Sequence, residues 1–184
     1  MNARIPRSGK PTLSAGFRDF HVMKTTQSGF EGYIKDEYTT LPSRTFNISF
    51  NIFQHVYLGT GDRILSTKIK CEWVFGDFDF DKTDFNGIYQ TVMTVTLRVF
   101  AGNAKTGVYS ASVQQTIYDI GVEVLRTVKE LQNISFELPN IHYYPVNFKE
   151  YSTSLTNNGE VFLTFEGAAG NIRATIERKA SSKL

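Results

Sequence analysis

The chain has 184 residues, of which 41% are hydrophobic and 14% aromatic; this is enough apolar material for one domain with a hydrophobic core and too much for a disordered chain. Twenty basic residues are balanced by eighteen acidic ones, for a net charge of +2, which argues against a nucleic-acid or membrane surface as the partner. The single cysteine, Cys71, excludes an intrachain disulfide framework and a cysteine-rich zinc site, and no apolar run approaches the ~20 residues of a membrane span.

The first half of the chain predicts mainly strands. Residues 1–15 are polar, basic and interrupted by proline and glycine, and they predict a linker or loose end. Apolar and polar side chains alternate in the next segments, which is typical of strands. The predicted strands are 16–24, 46–58 and 64–75, and a threonine-rich loop with a short strand or turn is predicted at 25–45.

Two helices are predicted in the middle of the chain. Residues 85–101 place apolar side chains at helical spacing, and the acidic segment 76–84 before them offers aspartates that can cap the helix. A second apolar stripe extends from Val113 to Val128, with Ser110 or Ser112 as the cap.

Four short strands are predicted after the helices, at 134–138, 142–148, 161–165 and 172–178. Consecutive strands joined by tight turns favour an antiparallel sheet, and two consecutive helices would cover one of its faces. The sequence therefore predicts an α+β fold. A sheet with one face still wet also predicts an oligomer.

Several long segments resemble urate oxidase. They are, in chain order, KTTQSGFEGYIKDEYTTL at 24–41, DRILST at 62–67, YSASVQQTIYDI at 109–120, LPNIHYYPV at 138–146 and the closing ATIERKASSKL. The resemblance covers nearly all of residues 12–184, and the segments occur in the order found in the family.

The resemblance implies a fold and an assembly. Urate oxidases contain two tandem tunnelling-fold domains, each an antiparallel four-stranded sheet with two helices on one face. Residues 16–184 are expected to form the second of these domains, so that the chain is a partial form without the first. The family assembles into tetramers, which implies a homo-oligomer here.

Four positions match residues that hold the purine in the family. Phe30 matches the aromatic that stacks on the ring, Arg63 the arginine that grips one edge, and Gln114 the glutamine that holds the opposite edge. Val113 matches a position whose backbone contributes to the pocket. Without the motifs, Phe30 would be an ordinary core residue, Arg63 a surface residue, and Gln114 an exposed residue at a helix start.

Three further positions match the rest of the family's pocket. Asn140 and His142 match the pair on the side of dioxygen and proton transfer, where an imidazole that titrates near neutral pH suits proton exchange. Leu41 matches an apolar wall position. The alternatives are a turn residue for Asn140, a solvent-facing strand residue for His142 and a core residue for Leu41.

The resemblance implies the oxidation of urate by dioxygen, with uptake of water, to 5-hydroxyisourate and hydrogen peroxide, a step of purine degradation toward allantoin. The family uses no metal and no organic cofactor, and the histidines and the cysteine show no metal-ligand spacing. The alternatives are a non-catalytic assembly module, an inactive remnant of urate oxidase, or a pterin-binding tunnelling-fold enzyme, which the SVQ and LPNIHY segments disfavour.

Two departures from the family pattern stand out. The family's proton relay uses a lysine and a threonine of the first domain; Lys24 and Thr25 lie in a second-domain motif and are not assigned that role. Leu41 and Arg63 are also much further apart than in the family. The excess is an atypical insertion at 46–61, whose alternatives are an edge strand, a cover for the pocket or an error of the gene model.

The chain ends in Ser182, Lys183 and Leu184. A carboxy-terminal SKL is a signal read by the peroxisomal import receptor, and the alternative is a polar frayed tail. Together with a family that produces peroxide, it predicts localisation to the peroxisome.

Overall fold

The structure is a computed structural model, and it describes residues 1–4, 12–25, 27–28, 38–39, 46–53, 64–148, 154–164 and 170–178. For 38–39 and 46–53 it describes the backbone. The elements are β1 (Asn2–Arg4), β2 (Thr12–Lys24), β3 (Tyr38–Thr39), β4 (Phe46–Phe53), β5 (Leu65–Phe75), α1 (Phe85–Ala101), α2 (Val113–Thr127), β6 (Leu131–Pro139), β7 (Tyr143–Pro145), β8 (Phe162–Thr164) and β9 (Asn171–Arg178).

A seven-stranded sheet in the order β1-β2-β5-β6-β9-β4-β3 forms the centre of the fold. All six neighbouring pairs are antiparallel. The four middle strands β2, β5, β6 and β9, with α1 and α2 on one face, are the predicted α+β arrangement, which the structure confirms. The alternation in β5 predicts a strand with one solvent-facing side, and the structure confirms it. Ile69, Cys71 and Trp73 are buried, and Glu72, between the last two, is exposed.

Local side-chain signals fix the helix ends. The Asp84 carboxylate accepts a hydrogen bond of 2.9 Å from the Gly87 N–H, which caps α1 as predicted. Of the two candidate caps for α2, Ser112 is the one used, and its hydroxyl accepts a hydrogen bond of 3.1 Å from the Gln115 N–H. Gly102, with φ of 73°, ends α1 in a backbone conformation that glycine tolerates.

The core lies between the helices and the sheet. Trp73 is 1% exposed, and its ring lies 6.3 Å from the Phe17 ring and 6.1 Å from the Tyr89 ring, centroid to centroid. α2 packs closely on β9, since a Cβ added at Gly121 would lie 2.6 Å from the Ile176 Cδ1 atom. Cys71 is also in this core, and burial, with a smaller contribution from Glu72, raises the pKa of its thiol well above the usual range.

The amino terminus differs from the prediction of a linker over 1–15. Asn2–Arg4 pair with Thr12–Ser14, and β2 begins at Thr12 instead of residue 16. The reason is that Leu13 is buried in the core and Ser14 pairs with Val74 of β5, so the strand gains both an apolar contact and ladder hydrogen bonds. The composition of the segment is polar, but its alternation extends the strand.

Two further segments show how the chain pairs at a distance. The predicted extra strand within 46–61 is β4, which pairs with β9 over eight positions from Phe46 and Arg178 to Phe53 and Asn171; residues 54–61 lie outside the described part of the chain. β7 and β8 are shorter than predicted and form a separate two-stranded sheet. The chain leaves the main sheet after β6, which pairs with β9 and not with β7.

Candidate functional site

Four strand ends meet at one edge of the sheet, which we call the Lys24 edge. β2 ends there at Lys24, opposite Leu65 at the start of β5. β6 ends there at Pro139, opposite Asn171 at the start of β9. The Ile141 N–H donates a hydrogen bond of 3.0 Å to the Ser66 carbonyl, so the segment that follows β6 lies against the start of β5.

Both long connections of the first half of the chain are tied to this edge. β4 ends at Phe53, opposite Asn171, so the connection from β4 to β5 both leaves and returns at the Lys24 edge. The connection from β2 to β3 also leaves the sheet there, after Lys24. The predicted site residues Phe30, Leu41 and Arg63 lie outside the described residues.

The start of α2 lies beside the segment that follows β2. The Ser110 N–H donates a hydrogen bond of 2.8 Å to the Gln27 carbonyl, and Ser28 forms a parallel bridge with Ser110. Ser112 then caps α2, whose first two residues are the predicted site residues Val113 and Gln114. The amino-terminal end of α2 is therefore placed at the Lys24 edge.

The exposed fractions of Gln114 and Asn140 bear on the alternatives that the sequence left open for these two residues. Gln114 is 7% exposed and Val113 is 2% exposed, so Gln114 is not the exposed helix-start residue that its type usually is. Asn140 is 6% exposed, and its N–H donates a hydrogen bond of 2.8 Å to the Gly170 carbonyl. Buried amide side chains of this kind are costly unless they are satisfied by polar partners.

His142 lies two residues beyond Asn140, between β6 and β7, and not within a strand. Its ring is half-buried and lies 5.9 Å from the Tyr144 ring, tilted by 31°. The structure thus brings Val113, Gln114 and Asn140 to the same edge of the sheet and places His142 in the segment leaving it. Their roles in the site stay predictions.

The edge also holds polar residues that the sequence did not predict to be part of a site. They are buried serines and a threonine at the ends of the strands and before α2: Ser28, Ser66, Thr67, Ser110 and Ser112. Serine is mostly exposed in proteins, so apart from the cap position before α2 nothing in the pattern distinguishes these from surface serines. The repeated small polar residues in KTTQSG and YSASVQQ are the one signal in the sequence that coincides with them.

A lysine supplies positive charge at this edge. The Lys24 ammonium donates hydrogen bonds of 2.7 Å to the Val108 carbonyl and 2.7 Å to the Ser110 hydroxyl. It also lies 5.4 Å from the centre of the Phe100 ring. Partial burial lowers the pKa of Lys24 from its usual value.

One surface groove lies away from the Lys24 edge. It has a volume of about 790 Å³ and lies at the opposite end of the sheet, between the start of α1 and the end of α2, with Asp77, Asp84, Val128 and Glu130 among its lining residues. It contains none of the predicted site residues. Within the same described ranges, no three His, Cys, Asp or Glu side chains gather as metal ligands would, and no helix has the length and apolarity to span a membrane.

Comparison with known proteins identifies the family. The model of the Uricase family matches residues 49–173. The chain is 38% identical to the uricase of Oryctolagus cuniculus over 178 residues, which cover 97% of this chain and 53% of that protein. It is 33% identical to the uricase of Arabidopsis thaliana over 189 residues, covering 99% of this chain and 56% of that protein.

Solved structures agree with the sequence relatives. The crystal structure of uricase from Arthrobacter globiformis superposes with a TM-score of 0.71 at 30% identity, over 95% of this chain and 52% of that chain. A uricase from Bacillus fastidious, with a TM-score of 0.59 and 23% identity, shares the fold. The chain spans about half the length of the curated relatives it matches. With most of its residues matched by the family model, the chain belongs to the uricase family.

Proposed function

We propose that the chain binds urate at the Lys24 edge and supplies this pocket to a urate oxidase. The observation that carries the proposal is the pairing of Ser28 with Ser110. It places the start of α2, with Gln114, beside the segment that leads directly to Phe30. The family membership supplies the substrate class, and the buried polar residues at this edge support a site for a polar ligand.

Chain connectivity supports the convergence of the proposed pocket. Consecutive Cα atoms are ~3.8 Å apart, so Phe30 is within about 8 Å of Ser28 in Cα position and Arg63 is adjacent to Ile64. Ser28 and Leu65 both belong to the Lys24 edge. We propose that the side chains of Phe30, Arg63 and Gln114 surround the purine, with Leu41 at the wall of the pocket.

Each residue type suits one part of a flat anion. An aromatic ring at Phe30 would stack on the purine, and the planar guanidinium of Arg63 would donate two hydrogen bonds to one edge of it. The Gln114 amide offers a donor and an acceptor together, which matches the alternating groups of the opposite edge. The N–H groups at the start of α2, including that of Val113, favour negative charge on the ligand.

The proposed reaction moves two electrons from the urate anion to dioxygen. Urate, dioxygen and water give 5-hydroxyisourate and hydrogen peroxide, so dioxygen takes up the two electrons and two protons and leaves as peroxide. Asn140 would hold dioxygen or water over the ring, and His142 would exchange the protons. Orientation and electrostatics are then the contribution of the protein to the rate.

Binding and turnover are separate questions for this chain. The chain spans about half of its relatives, and none of its residues is assigned to the proton relay of the family's first domain. We therefore propose that urate binding is retained by the residues present, and that turnover depends on proton transfer from a further partner. The family's tetramer is the proposed assembly, with urate and dioxygen as the small-molecule partners.

Gln114→Leu is expected to weaken urate binding about tenfold or more, because an apolar side chain leaves the polar edge of the purine unpaired. Isothermal titration calorimetry with urate and with 8-azaxanthine measures the two dissociation constants. Gln115→Leu is the matched control, since Gln115 is the next residue of α2 and its amide donates to Asp119 on the solvent side. Equal affinities of the two variants would contradict the assignment of Gln114.

Turnover is measured on the unsubstituted chain by loss of the urate absorbance band in aerated buffer. Binding without loss of absorbance supports a substrate-binding part that needs its partner for chemistry. If the chain binds neither ligand, the proposed function is wrong for this chain, and the assembly module remains as its role.

We also propose that Ser182, Lys183 and Leu184 direct the protein to peroxisomes through the import receptor. These residues lie outside the described part of the chain. A fluorescent protein that carries the last ten residues at its carboxyl terminus should co-localise with a peroxisomal marker. The same fusion without Leu184 should stay diffuse, and a punctate distribution of both fusions would count against this signal.

A further inference from the structure

Lys24 is hydrogen-bonded to the loop that precedes α2. Its ammonium donates to the Val108 carbonyl and to the Ser110 hydroxyl, at 2.7 Å each. These acceptors are more than eighty positions away in the chain. The lysine therefore ties the end of β2 to the entry of α2.

Gln27 makes a second set of contacts between the same two segments. Its amide donates a hydrogen bond of 2.6 Å to the Thr106 carbonyl, and its own carbonyl accepts one of 2.8 Å from the Ser110 N–H. Gly107 has φ of 65°, and a Cβ there would lie 3.0 Å from the Gln27 side-chain oxygen. Glycine at this position tolerates both the positive φ and the close contact with Gln27, so the loop can lie against the segment after β2.

The position is unusual for a lysine. Most lysines extend into water, but Lys24 is half-buried and its ammonium lies over the Phe100 ring. Partial burial disfavours its charge, so the two hydrogen bonds must offset a desolvation cost. A desolvation cost of this kind is consistent with a lysine whose contacts hold two segments of the chain together.

We propose that Lys24 is a positioning residue of the purine site. By holding the Val108–Ser110 loop against the end of β2, it fixes the position of the start of α2 and of Gln114 within it. This inference rests on the proposed function. It gives Lys24 no part in proton transfer, because its described donors point at protein acceptors.

Lys24→Met is the decisive variant, because methionine keeps an apolar stem over Phe100 and removes both hydrogen bonds. Urate and 8-azaxanthine affinities are expected to fall about tenfold. Lys24→Arg restores a charged donor and is expected to bind within about threefold of the unsubstituted chain. Lys105→Met, an exposed lysine of the same loop, should bind with unchanged affinity.

The temperature of the binding measurement distinguishes a positioning role of Lys24 from an effect on global stability alone. At a temperature where every variant is essentially fully folded by circular dichroism, a loss of global stability alone leaves the dissociation constant unchanged. Hydrogen exchange of the Ser110 N–H, which reports its bond to Gln27, should accelerate in Lys24→Met relative to strand amides such as Ile134.

The outcomes are distinct. If the unsubstituted chain binds both ligands and Lys24→Met binds equally well while folded, the inference on Lys24 is wrong and the proposed function stands. If Lys24→Arg binds no better than Lys24→Met, the proposed geometry is also wrong. If the unsubstituted chain binds neither ligand, the proposed function fails and the positioning role fails with it.

Discussion

Trp73→Ala should lower the free energy of unfolding by about 3–5 kcal/mol, the cost typical of truncating a large aromatic in a core. Trp73 is 1% exposed near the end of β5, between Ala15 of β2 and Ile134 of β6. Its ring lies beside those of Phe17 and Tyr89. The substitution therefore removes contacts to the sheet and to α1 together and leaves a cavity that the surrounding strands cannot close.

Urea denaturation followed by circular dichroism measures this change, since Trp73 is the only tryptophan and its removal also removes the tryptophan fluorescence. Phe80→Ala is the control, because Phe80 is a large aromatic that is 69% exposed; its loss should change the free energy of unfolding by less than about 0.5 kcal/mol. Similar losses for the two variants would contradict the placement of Trp73 in the core.

Arg178→Met should destabilise the fold by about 2–3 kcal/mol, because three carbonyls lose a charged donor. Arg178, at the end of β9, donates 2.8 Å to the Leu131 carbonyl and 3.0 Å to the Val128 carbonyl, and it also donates to the Leu125 carbonyl. The last two acceptors belong to the end of α2 and its cap, where carbonyls have no partner within the helix. The guanidinium thus joins the helix, the turn after it and the last strand.

Arg126→Met is the matched control, since Arg126 is exposed in the last turn of the same helix. It can contribute only the interaction with the helix dipole, typically about 0.3–1 kcal/mol. Arg178→Lys should fall between the two, because an ammonium cannot reproduce the planar set of donors. A midpoint of thermal unfolding that is the same for Arg178→Met and Arg126→Met would refute the joining role.

The helices were predictable because their signals are local. Apolar spacing, the Asp84 cap and the Ser112 cap lie within a few residues of the elements that they define. Strand pairing is a different matter, because β4 and β9 are separated by more than one hundred positions and still pair in register. Alternation predicts that each is a strand, but it contains no information on the neighbour.

The site was predicted from resemblance and in part from residue type. Gln114 and Asn140 are buried at one edge, as residues of a pocket are. The contacts that bring this edge together, such as Ser28 with Ser110 and Lys24 with Val108, join segments that are far apart in sequence. They depend on the tertiary arrangement, so polar residues that looked like ordinary loop residues became visible as a group only in the structure.

The position of Cys71 has a chemical consequence if the proposed reaction, which releases hydrogen peroxide, takes place beside it. Thiols react with hydrogen peroxide as thiolates, and burial keeps the Cys71 sulfur protonated and out of reach. The only sulfhydryl of the chain is thus shielded from the product of the proposed reaction. Its modification by a peroxide or a maleimide would require opening of the core, so that labelling of this one sulfur would serve as a clock for global unfolding.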